Sequence, residues 1–349
     1  MSAAFTVGLS ADFRPANGSG TSWGDIGLAE LDRAGVTYRF LDQRSPTLRA
    51  EQVDGLDAVL FAEPAVDADT VSGDRPPLVL ARFGVGLDAV DLAACSEAGV
   101  AVTITPDGAR RAVATAALTM ILAVGHRLLA KDALVRANAW EHKLDLMGQG
   151  LTGKRVGVFG LGNIAVELFS LLKPFGTQHW ATDPHRTAES AAAIGVTLVD
   201  LATLLAECDI IVVTAALTPE TLHAIDAELI ASMKPNAILV NVARGPIVDV
   251  AALAAALHEG RIGGAGLDVF EVEPVPAGHP ILSADRTVLS PHALAWTDEM
   301  AIGNGASAIR SILDVRAGRT PAYLANPDVL AHPRFRRHLQ TTGSSPTAR

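Results

Sequence analysis

One glycine-rich segment combines the residue types and the spacing that bind a pyrophosphate group. It follows the apolar run VGVF, precedes a helical pattern, and reads Gly160-Leu161-Gly162-Asn163-Ile164-Ala165. Gly160 permits a tight turn, Gly162 lets the backbone approach a phosphate, and Ala165 is small enough for helix and strand to pack closely. The N–H groups of Asn163 and Ile164, at the start of the helix, favour bound negative charge. A plain glycine turn is the alternative, but the strand and helix context favours a dinucleotide-binding turn.

An acidic residue, Asp183, ends the next predicted strand, about 20 residues beyond the glycine turn. A carboxylate at that position accepts hydrogen bonds from the ribose hydroxyl groups of an adenosine. It also repels the 2′-phosphate that distinguishes NADP from NAD, because charge repulsion is strong in a poorly solvated cleft. Arg186 lies nearby in the sequence and weakens this repulsion. The sequence therefore favours NAD as the cofactor, with NADP as the less favoured alternative.

Short apolar runs alternate with helical patterns along both halves of the chain, which predicts parallel strands covered on both faces. In the first half the predicted strands are 5–9, 36–41, 58–61, 78–81 and 100–104. An apolar segment, 112–129, then predicts one long buried helix that Thr, Gly, His and Arg interrupt too often for a membrane span. The alternation restarts with predicted strands 155–159, 178–182, 210–214, 237–241, 264–268 and 287–289. The restart indicates a second sheet.

Composition limits the classes of protein and partner. The 349 residues predict two domains, and 49% hydrophobic residues supply enough apolar surface for a globular fold. The net charge of -10 argues against binding to nucleic acids or anionic membranes. Cys95 and Cys208 form no CxxC pair, so neither a disulfide framework nor a metal site is predicted. With no secretory signal at the N-terminus, we expect a cytoplasmic protein that acts on a small molecule. The basic tail 332–349 is expected to be partly disordered.

Three further segments resemble the signature of the D-isomer-specific 2-hydroxyacid dehydrogenases. They are Asn241-Val242-Ala243-Arg244-Gly245, the run 266–274 (GLDVFEVEP) and Ser290-Pro291-His292. The resemblance extends from about residue 78 to residue 326, with the motifs in the family's order. It implies two doubly wound parallel α/β lobes, in which a Rossmann cofactor domain (105–295) is inserted into a flavodoxin-like substrate-binding domain (1–104 and 296–349). It also implies a homodimer joined through the cofactor lobes.

The resemblance implies that Arg244, Glu273 and His292 are catalytic, and the chemistry of a 2-oxo acid is compatible with these roles. Reduction requires a hydride for the carbonyl carbon, a proton for its oxygen and a cation for the neighbouring carboxylate. An arginine fork suits the carboxylate, and a histidine whose protonated form is stabilised by a glutamate suits the proton. Each residue taken alone also fits a non-catalytic role: Arg244 as a cation in a surface turn, Glu273 as a solvated acid in a loop, and His292 as a turn residue.

Further positions are assigned by the same resemblance. Cofactor contacts are expected from Val242, Ala243, Arg244, Asp268 and His292, although a buried structural aspartate is a rival interpretation for Asp268. The loop 82–88 (RFGVGLD) resembles the family loop whose backbone N–H groups hold the substrate carboxylate, so Val85 and Gly86 are predicted to bind substrate together with Arg244 and His292. A strand-ending turn is the alternative for this loop. Trp296 lies four residues after His292. Its aromatic ring would either form a wall of the substrate pocket or pack between lobes or subunits.

The predicted activity is NAD-dependent transfer of a hydride between the nicotinamide and a small 2-oxo acid or D-2-hydroxy acid, such as glyoxylate or hydroxypyruvate. Segment 61–64 (FAEP) lacks the basic residue expected for a phosphorylated acid, which disfavours phosphoglycerate. Phosphite oxidation and a nicotinamide-sensing binding protein, similar to the transcriptional corepressors of this fold, remain as alternatives. Formate oxidation is disfavoured because Glu273 stands where formate dehydrogenases are expected to carry glutamine.

Overall fold

The computed structural model describes residues 5–15, 18 and 20–343, and the chain divides into two compact units. The first unit comprises Met1–Ala109 and Trp296–Arg349, and the second comprises Arg110–Ala295. Along the chain, the second unit therefore lies within the first.

The strands and helices of the described residues are short, apart from two long helices. The strands are β1 (Thr6–Leu9), β2 (Thr37–Phe40), β3 (Ala58–Phe61), β4 (Val79–Arg82), β5 (Ala101–Thr103), β6 (Arg155–Phe159), β7 (Gln178–Thr182), β8 (Val196–Leu198), β9 (Ile210–Val213), β10 (Ile238–Asn241), β11 (Gly264–Leu267) and β12 (Thr287–Leu289). The helices are α1 (Ala29–Arg33), α2 (Ala50–Val53), α3 (Leu92–Glu97), α4 (Pro106–Gly125), α5 (Leu128–Arg136), α6 (Asn163–Leu172), α7 (Ala188–Ala192), α8 (Leu201–Glu207), α9 (Ala227–Ser232), α10 (Val250–His258), α11 (Asp298–Arg316) and α12 (Pro333–Gly343).

Within the described residues each unit contains one sheet, and the strands of each sheet are paired in parallel. The first unit has the order β2-β1-β3-β4-β5, which is the flavodoxin-like order. The second has the order β12-β11-β10-β9-β6-β7-β8. Renumbered from β6, its first six strands follow the Rossmann order 3-2-1-4-5-6, with β12 added beyond. The predicted fold class is therefore confirmed.

Four central strands are buried along their whole length, as expected when helices cover both faces. Every residue of β3, β9, β10 and β11 is buried. The edge strand β2 instead alternates between exposed and partly buried residues. β8, which the sequence analysis missed, is another edge strand with only Val196 buried, so its apolar signal is weak.

The single helix predicted over 112–129 is wrong in its bounds. α4 begins at Pro106 and ends at Gly125, and α5 follows after Arg127, whose φ of 53° lies in the left-handed region and ends the helical run. By length and composition α4 is apolar enough to cross a membrane, yet 56% of its apolar window is buried. Its side chains Met120 and Val124 pack against β11, which is the arrangement of a core helix.

The tail expected to be partly disordered is helical over most of its described length. α12 buries Phe335 completely, and Arg334 donates hydrogen bonds to the carbonyl oxygens of Pro76, Pro77 and Gly99. The expectation is therefore wrong for Pro333–Gly343, because one aromatic anchor and one arginine fix the helix. Residues 344–349 lie outside the described residues.

A buried asparagine fixes the segment after α11 to the edge strand β5. Asn326 accepts a hydrogen bond from the Val102 N–H at 2.8 Å and donates to the carbonyl oxygen of Val100 at 2.9 Å. It also donates to the hydroxyl of Ser96 at 3.0 Å. These bonds satisfy backbone groups at a sheet edge that would otherwise be unpaired.

Replacing Asn326 by Ala removes these bonds, so we expect the free energy of unfolding to fall by about 2 kcal/mol or more, because each buried unsatisfied backbone group costs about 1–3 kcal/mol. Chemical denaturation measures the change. Asn236→Ala, in an exposed turn, is the matched control and should change stability by less than about 0.5 kcal/mol. Equal stability of the two variants would contradict this role for Asn326.

Candidate active site

The glycine turn joins β6 to α6 as its sequence predicts. Gly160 has a φ of 96°, and a Cβ atom there would lie 2.6 Å from Cα of Ala215. Both the backbone conformation and the close approach therefore require glycine. Gly162 is the N-cap of α6, and a Cβ atom there would meet nothing within 4 Å. The turn thus leaves open space in front of the helix N-terminus, where phosphate oxygens are favoured.

Asp183 and its neighbours hold this turn. The carboxylate of Asp183 accepts hydrogen bonds from the N–H groups of Leu161 and His185, both at 2.8 Å. Arg186 Nε donates to the carbonyl oxygen of Leu161 at 3.1 Å, and Thr214 Oγ1 donates to that of Gly160 at 2.7 Å. A carboxylate has about four acceptor positions, so Asp183 retains capacity for ribose hydroxyl groups. Its contacts add a structural function that the sequence analysis did not anticipate.

The three predicted catalytic residues follow three neighbouring strands. β10, β11 and β12 are adjacent and parallel, so the loops after them meet at one edge of the sheet. Arg244 follows β10, Glu273 follows β11 and His292 follows β12. This is the edge where ligands bind in open α/β sheets.

Asn241, the last residue of β10, fixes the turn that carries Arg244. It is fully buried, accepts a hydrogen bond from the Ala243 N–H at 3.0 Å and donates to the carbonyl oxygen of Arg244 at 2.9 Å. Val242 remains tied to β9 through a bond from its N–H to the carbonyl oxygen of Val213 at 3.4 Å. Asn241 belongs to the family-like motif 241–245, but no function was predicted for it from the sequence. An asparagine that bonds the backbone two residues on is a recognised turn signal and would have identified it.

His292 and Glu273 form a direct hydrogen bond. His292 Nδ1 lies 2.8 Å from Glu273 Oε2, and the side chains are 47% and 38% exposed. Glu273 Oε1 accepts from the N–H of Phe270 at 3.0 Å, which fixes the second carboxylate oxygen. A carboxylate at Nδ1 orients the ring, which leaves Nε2 to face a ligand.

The backbone of His292 is held in the left-handed region by Asp268. His292 has a φ of 55°, which is uncommon for a residue with a side chain. Asp268, 6% exposed, accepts hydrogen bonds through Oδ1 from the N–H groups of Ala293 and Leu294, at 3.0 and 3.1 Å. Asp268 therefore makes the contacts of the structural interpretation, and they hold the backbone next to His292, the predicted catalytic histidine.

Gly245 brings the Arg244 turn against the loop that carries Glu273. A Cβ atom at Gly245 would lie 1.9 Å from the carbonyl carbon of Phe270 and 2.4 Å from the nitrogen of Glu271. Arg244 Nη1 donates to the carbonyl oxygen of Ala243 at 2.6 Å, which directs the guanidinium from the start of its own turn. Any side chain at position 245 would therefore separate the two loops.

The loop predicted to bind the substrate carboxylate belongs to the first unit and follows β4. Arg82 Nε donates to the carbonyl oxygen of Gly86 at 3.2 Å, and the Val85 side chain is 36% exposed. Phe83 is buried in a chain of aromatic contacts whose other members are Phe13, Trp23 and Trp296. Trp296 contacts Trp23 with 4.4 Å between ring centroids and an interplanar angle of 54°, and it is 51% exposed. The N–H groups of Val85 and Gly86 thus lie on an anchored loop.

Comparisons with known proteins agree with this arrangement. The family model described as "D-isomer specific 2-hydroxyacid dehydrogenase, NAD binding domain" matches residues 118–293. Glyoxylate reductase of Thermofilum pendens is 37% identical over 269 residues, which is 76% of this chain and 79% of that protein. Glyoxylate reductase of Thermococcus litoralis is 36% identical over 288 residues, which is 81% of this chain and 86% of that protein. The crystal structure of a 2-hydroxyacid dehydrogenase from Ketogulonicigenium vulgare has a TM-score of 0.76 at 28% identity, covering 92% and 98% of the two chains.

This chain belongs to the D-isomer specific 2-hydroxyacid dehydrogenase family. The resemblance found in the sequence motifs is confirmed. The protein is accordingly a nicotinamide-dependent oxidoreductase that acts on 2-hydroxy or 2-oxo acids.

Replacing Gly245 by Ala tests whether the close approach of the two loops positions Arg244. The added Cβ atom must displace one loop, and a shift of about 1 Å at a reacting group costs roughly 10²-fold in rate. We expect kcat/KM for a 2-oxo acid to fall by that order while NADH binding, measured by fluorescence, is retained. Gly150→Ala is the control, since a Cβ atom there would meet nothing within 4 Å. Wild-type kcat/KM in the Gly245 variant would show that the approach is irrelevant to catalysis.

Proposed function

We propose that this protein reduces a small 2-oxo acid of the glyoxylate or hydroxypyruvate type to its D-2-hydroxy acid with NADH, and catalyses the reverse oxidation. The observation that carries the proposal is the hydrogen bond between His292 and Glu273, formed where the Arg244 turn meets the same sheet edge. Two similar proteins are named glyoxylate reductase, which supports this substrate class.

The residues of the second unit fit a nicotinamide dinucleotide. The open space before α6 suits the pyrophosphate, with the N–H groups of Asn163 and Ile164 facing it. We assign further contacts to the site residues Gly160, Gly162, Asp183, Val242, Ala243, Arg244, Asp268 and His292. When bound in reduced form, the nicotinamide supplies the hydride that the carbonyl carbon accepts.

Arg244 binds and polarises the substrate, and His292 transfers the proton. The guanidinium of Arg244 carries a permanent charge and a planar fork, which hold the substrate carboxylate and polarise the carbonyl. His292 donates a proton from Nε2 to the carbonyl oxygen, because its Nδ1 is engaged by Glu273. In the oxidation His292 accepts that proton. Val85 and Gly86 bind the carboxylate through backbone N–H groups, so we assign the first unit to substrate binding and the second to the cofactor.

NAD is the proposed cofactor, with NADP less favoured. Asp183 carries a negative charge beside the glycine turn, and a 2′-phosphate would be repelled by it. Arg186, the nearby cation, donates its Nε to the carbonyl oxygen of Leu161, so this part of its fork is committed to the turn. Parallel assays with NADH and NADPH should give the higher kcat/KM for NADH.

Neither alternative function has a specific structural feature in its favour. A nicotinamide sensor needs only the cofactor turn, whereas the His292–Glu273 hydrogen bond serves proton transfer. No feature of the described residues is specific to phosphite. The His292–Glu273 hydrogen bond therefore favours an enzyme over a sensor.

A homodimer is supported by apolar surface on the second unit. Within residues 128–147 of this unit, six large hydrophobic side chains are each at least 54% exposed: Leu128, Leu129, Val135, Trp140, Leu144 and Met147. They lie on α5, on the short 3-10 helix that follows it, Trp140–Leu146, and at the C-cap of that 3-10 helix. Exposed apolar clusters of this kind mark interaction sites, and we propose that a second copy covers this one.

Replacing Leu144, 74% exposed, by Asp should lower the dimer fraction in light scattering, whereas Ile194→Asp, at 46% exposure outside the cluster, should not.

A cytoplasmic location is also proposed. Cys95 and Cys208 are free and buried, and burial raises the pKa of each thiol to about 12. Both therefore remain as uncharged thiols at neutral pH, which fits a reducing compartment.

The central prediction of the proposed function concerns Arg244. Replacing it by Ala removes the carboxylate-binding charge, so reduction of every accepted 2-oxo acid should fall by about 10²-fold or more. NADH binding should survive the loss of the one contact assigned to Arg244, because the glycine turn and the other assigned cofactor residues are untouched. Arg261→Ala is a control, since Arg261 is an exposed cation paired with Glu259. Near-normal turnover by the Arg244 variant would refute the assignment.

A further inference from the structure

The loop after β11 carries a second glutamate, Glu271, which has no function in the chemistry described so far. Glu271 lies two residues before Glu273, and its Oε1 is 3.5 Å from Nε2 of His223, in the loop after β9. The side chains of His223 and Glu271 are 53% and 35% exposed. Since Glu273 pairs with His292 in the loop after β12, the loop after β11 is flanked by two histidine–glutamate pairs.

The backbone of His223 adopts a conformation that is uncommon for a residue with a side chain. Its φ is 49°, in the left-handed region, as is the φ of 55° at His292. The N–H of His223 donates to the carbonyl oxygen of Pro246 at 2.8 Å, in the turn that follows Arg244. A strained backbone of this kind persists only where the surrounding structure determines it, and such residues cluster at functional sites. The bond to Pro246 thus fixes the backbone from which the imidazole of His223 reaches Glu271.

The segment that contains His223 also holds the residues after Arg244. The N–H of Ile225 donates to the carbonyl oxygen of Ile247 at 3.1 Å, and the N–H of Asp249 donates to that of Ile225 at 3.0 Å. Ile225 and Ile247 are fully buried. The two segments form a short parallel bridge at this point. The loop after β9 therefore supports one side of the Arg244 turn.

Glu271 supports the other side of the same turn. A Cβ atom at Gly245 would lie 2.4 Å from the nitrogen of Glu271, so the two backbones are in direct contact. Glu271 Oε1 also accepts a hydrogen bond from the Val250 N–H at 3.2 Å, at the start of α10. The same carboxylate oxygen thus contacts α10, which follows the Arg244 turn, and faces His223. The His223–Glu271 pair closes a ring of contacts around the turn.

We propose that His223 and Glu271 are positioning residues, which act through the Arg244 turn and the loop that carries Glu273. Neither contacts substrate or cofactor in the proposed reaction, and neither exchanges a proton in it. The inference deepens the proposed function and rests on it. Because the pair joins the loops on both sides of the Arg244 turn, its loss allows that turn to move relative to Glu273, and reacting groups tolerate little displacement.

The experiment measures kcat/KM for glyoxylate and hydroxypyruvate with NADH, together with the melting temperature, in variants of the pair. His223→Asn removes the ring but suits the left-handed backbone, which asparagine adopts more readily than other residues with a side chain. Glu271→Gln keeps an acceptor for the Val250 N–H and removes the charge. Each variant should lower kcat/KM by about three- to fivefold, the contribution of an exposed ion pair. Glu271→Ala removes both contacts and should lower it by about tenfold or more.

A double-mutant cycle tests whether the two side chains act as a pair. His223→Asn combined with Glu271→Gln should lower kcat/KM no further than the stronger single variant, because the second substitution removes a contact that is already lost. NADH affinity, measured by fluorescence, should be unchanged in all variants. His258→Asn is the matched control and should keep wild-type kcat/KM: His258 is an exposed histidine at the last position of α10, with Nε2 at 3.2 Å from the carbonyl oxygen of Pro280.

The two readouts separate positioning from a purely structural function. A structural function predicts a lower melting temperature with wild-type kcat/KM at temperatures where the variants are folded. Wild-type kcat/KM in His223→Asn and Glu271→Gln would therefore overturn the proposal, whether or not the melting temperature falls. Multiplicative effects of the two substitutions would also overturn it, because they would show that the residues act independently. Absence of turnover by the wild type with both acids would instead refute the proposed function.

Discussion

The hydrogen bond between His292 Nδ1 and Glu273 Oε2 is the interaction on which the rest of the site depends. It joins loops from two neighbouring strands, and each loop is separately constrained. Asp268 holds the backbone beyond His292, while the Phe270 N–H fixes the other oxygen of Glu273. An exposed pair of this kind contributes little to stability by itself. Its value lies in presenting one ring nitrogen in a fixed direction.

Small residues in β11 allow α4 to pack closely against the strand that leads to Glu273. β11, which precedes Glu273, is the run Gly264-Ala265-Gly266-Leu267. A Cβ atom at Gly266 would lie 2.8 Å from Cβ of Met120, and one at Gly264 would lie 2.6 Å from a methyl group of Val124. α4 therefore packs directly against the strand. α4 is as apolar as a membrane span in composition, because its apolar side chains pack against β11.

Much of the fold and site was predictable because local patterns determine it. The apolar runs located all strands of both sheets except β8, whose three residues at an edge bury only Val196. The glycine turn and the Asn241–Gly245 segment carry their own signals in spacing and residue type. The break after α4 was not predictable, since it depends on the left-handed conformation of Arg127, an ordinary helix former. The same holds for α12, which the buried ring of Phe335 anchors.

Apart from the local bonds of Asn241, the contacts that the sequence did not predict join residues distant along the chain. Asp268 binds backbone groups 25 and 26 residues away, and Gly245 lies against the backbone of Phe270. No local sequence pattern predicts such long-range contacts.

The most direct test of the account is the rate of hydride transfer in a single turnover of Glu273→Gln. Glutamine keeps the size of the side chain and removes the negative charge that lies 2.8 Å from His292 Nδ1. With saturating NADH and 2-oxo acid, the account predicts a rate about 10²-fold or more below that of the wild type, at unchanged NADH affinity. A wild-type rate of hydride transfer in this variant would contradict the claim that the Glu273–His292 pair supplies the proton.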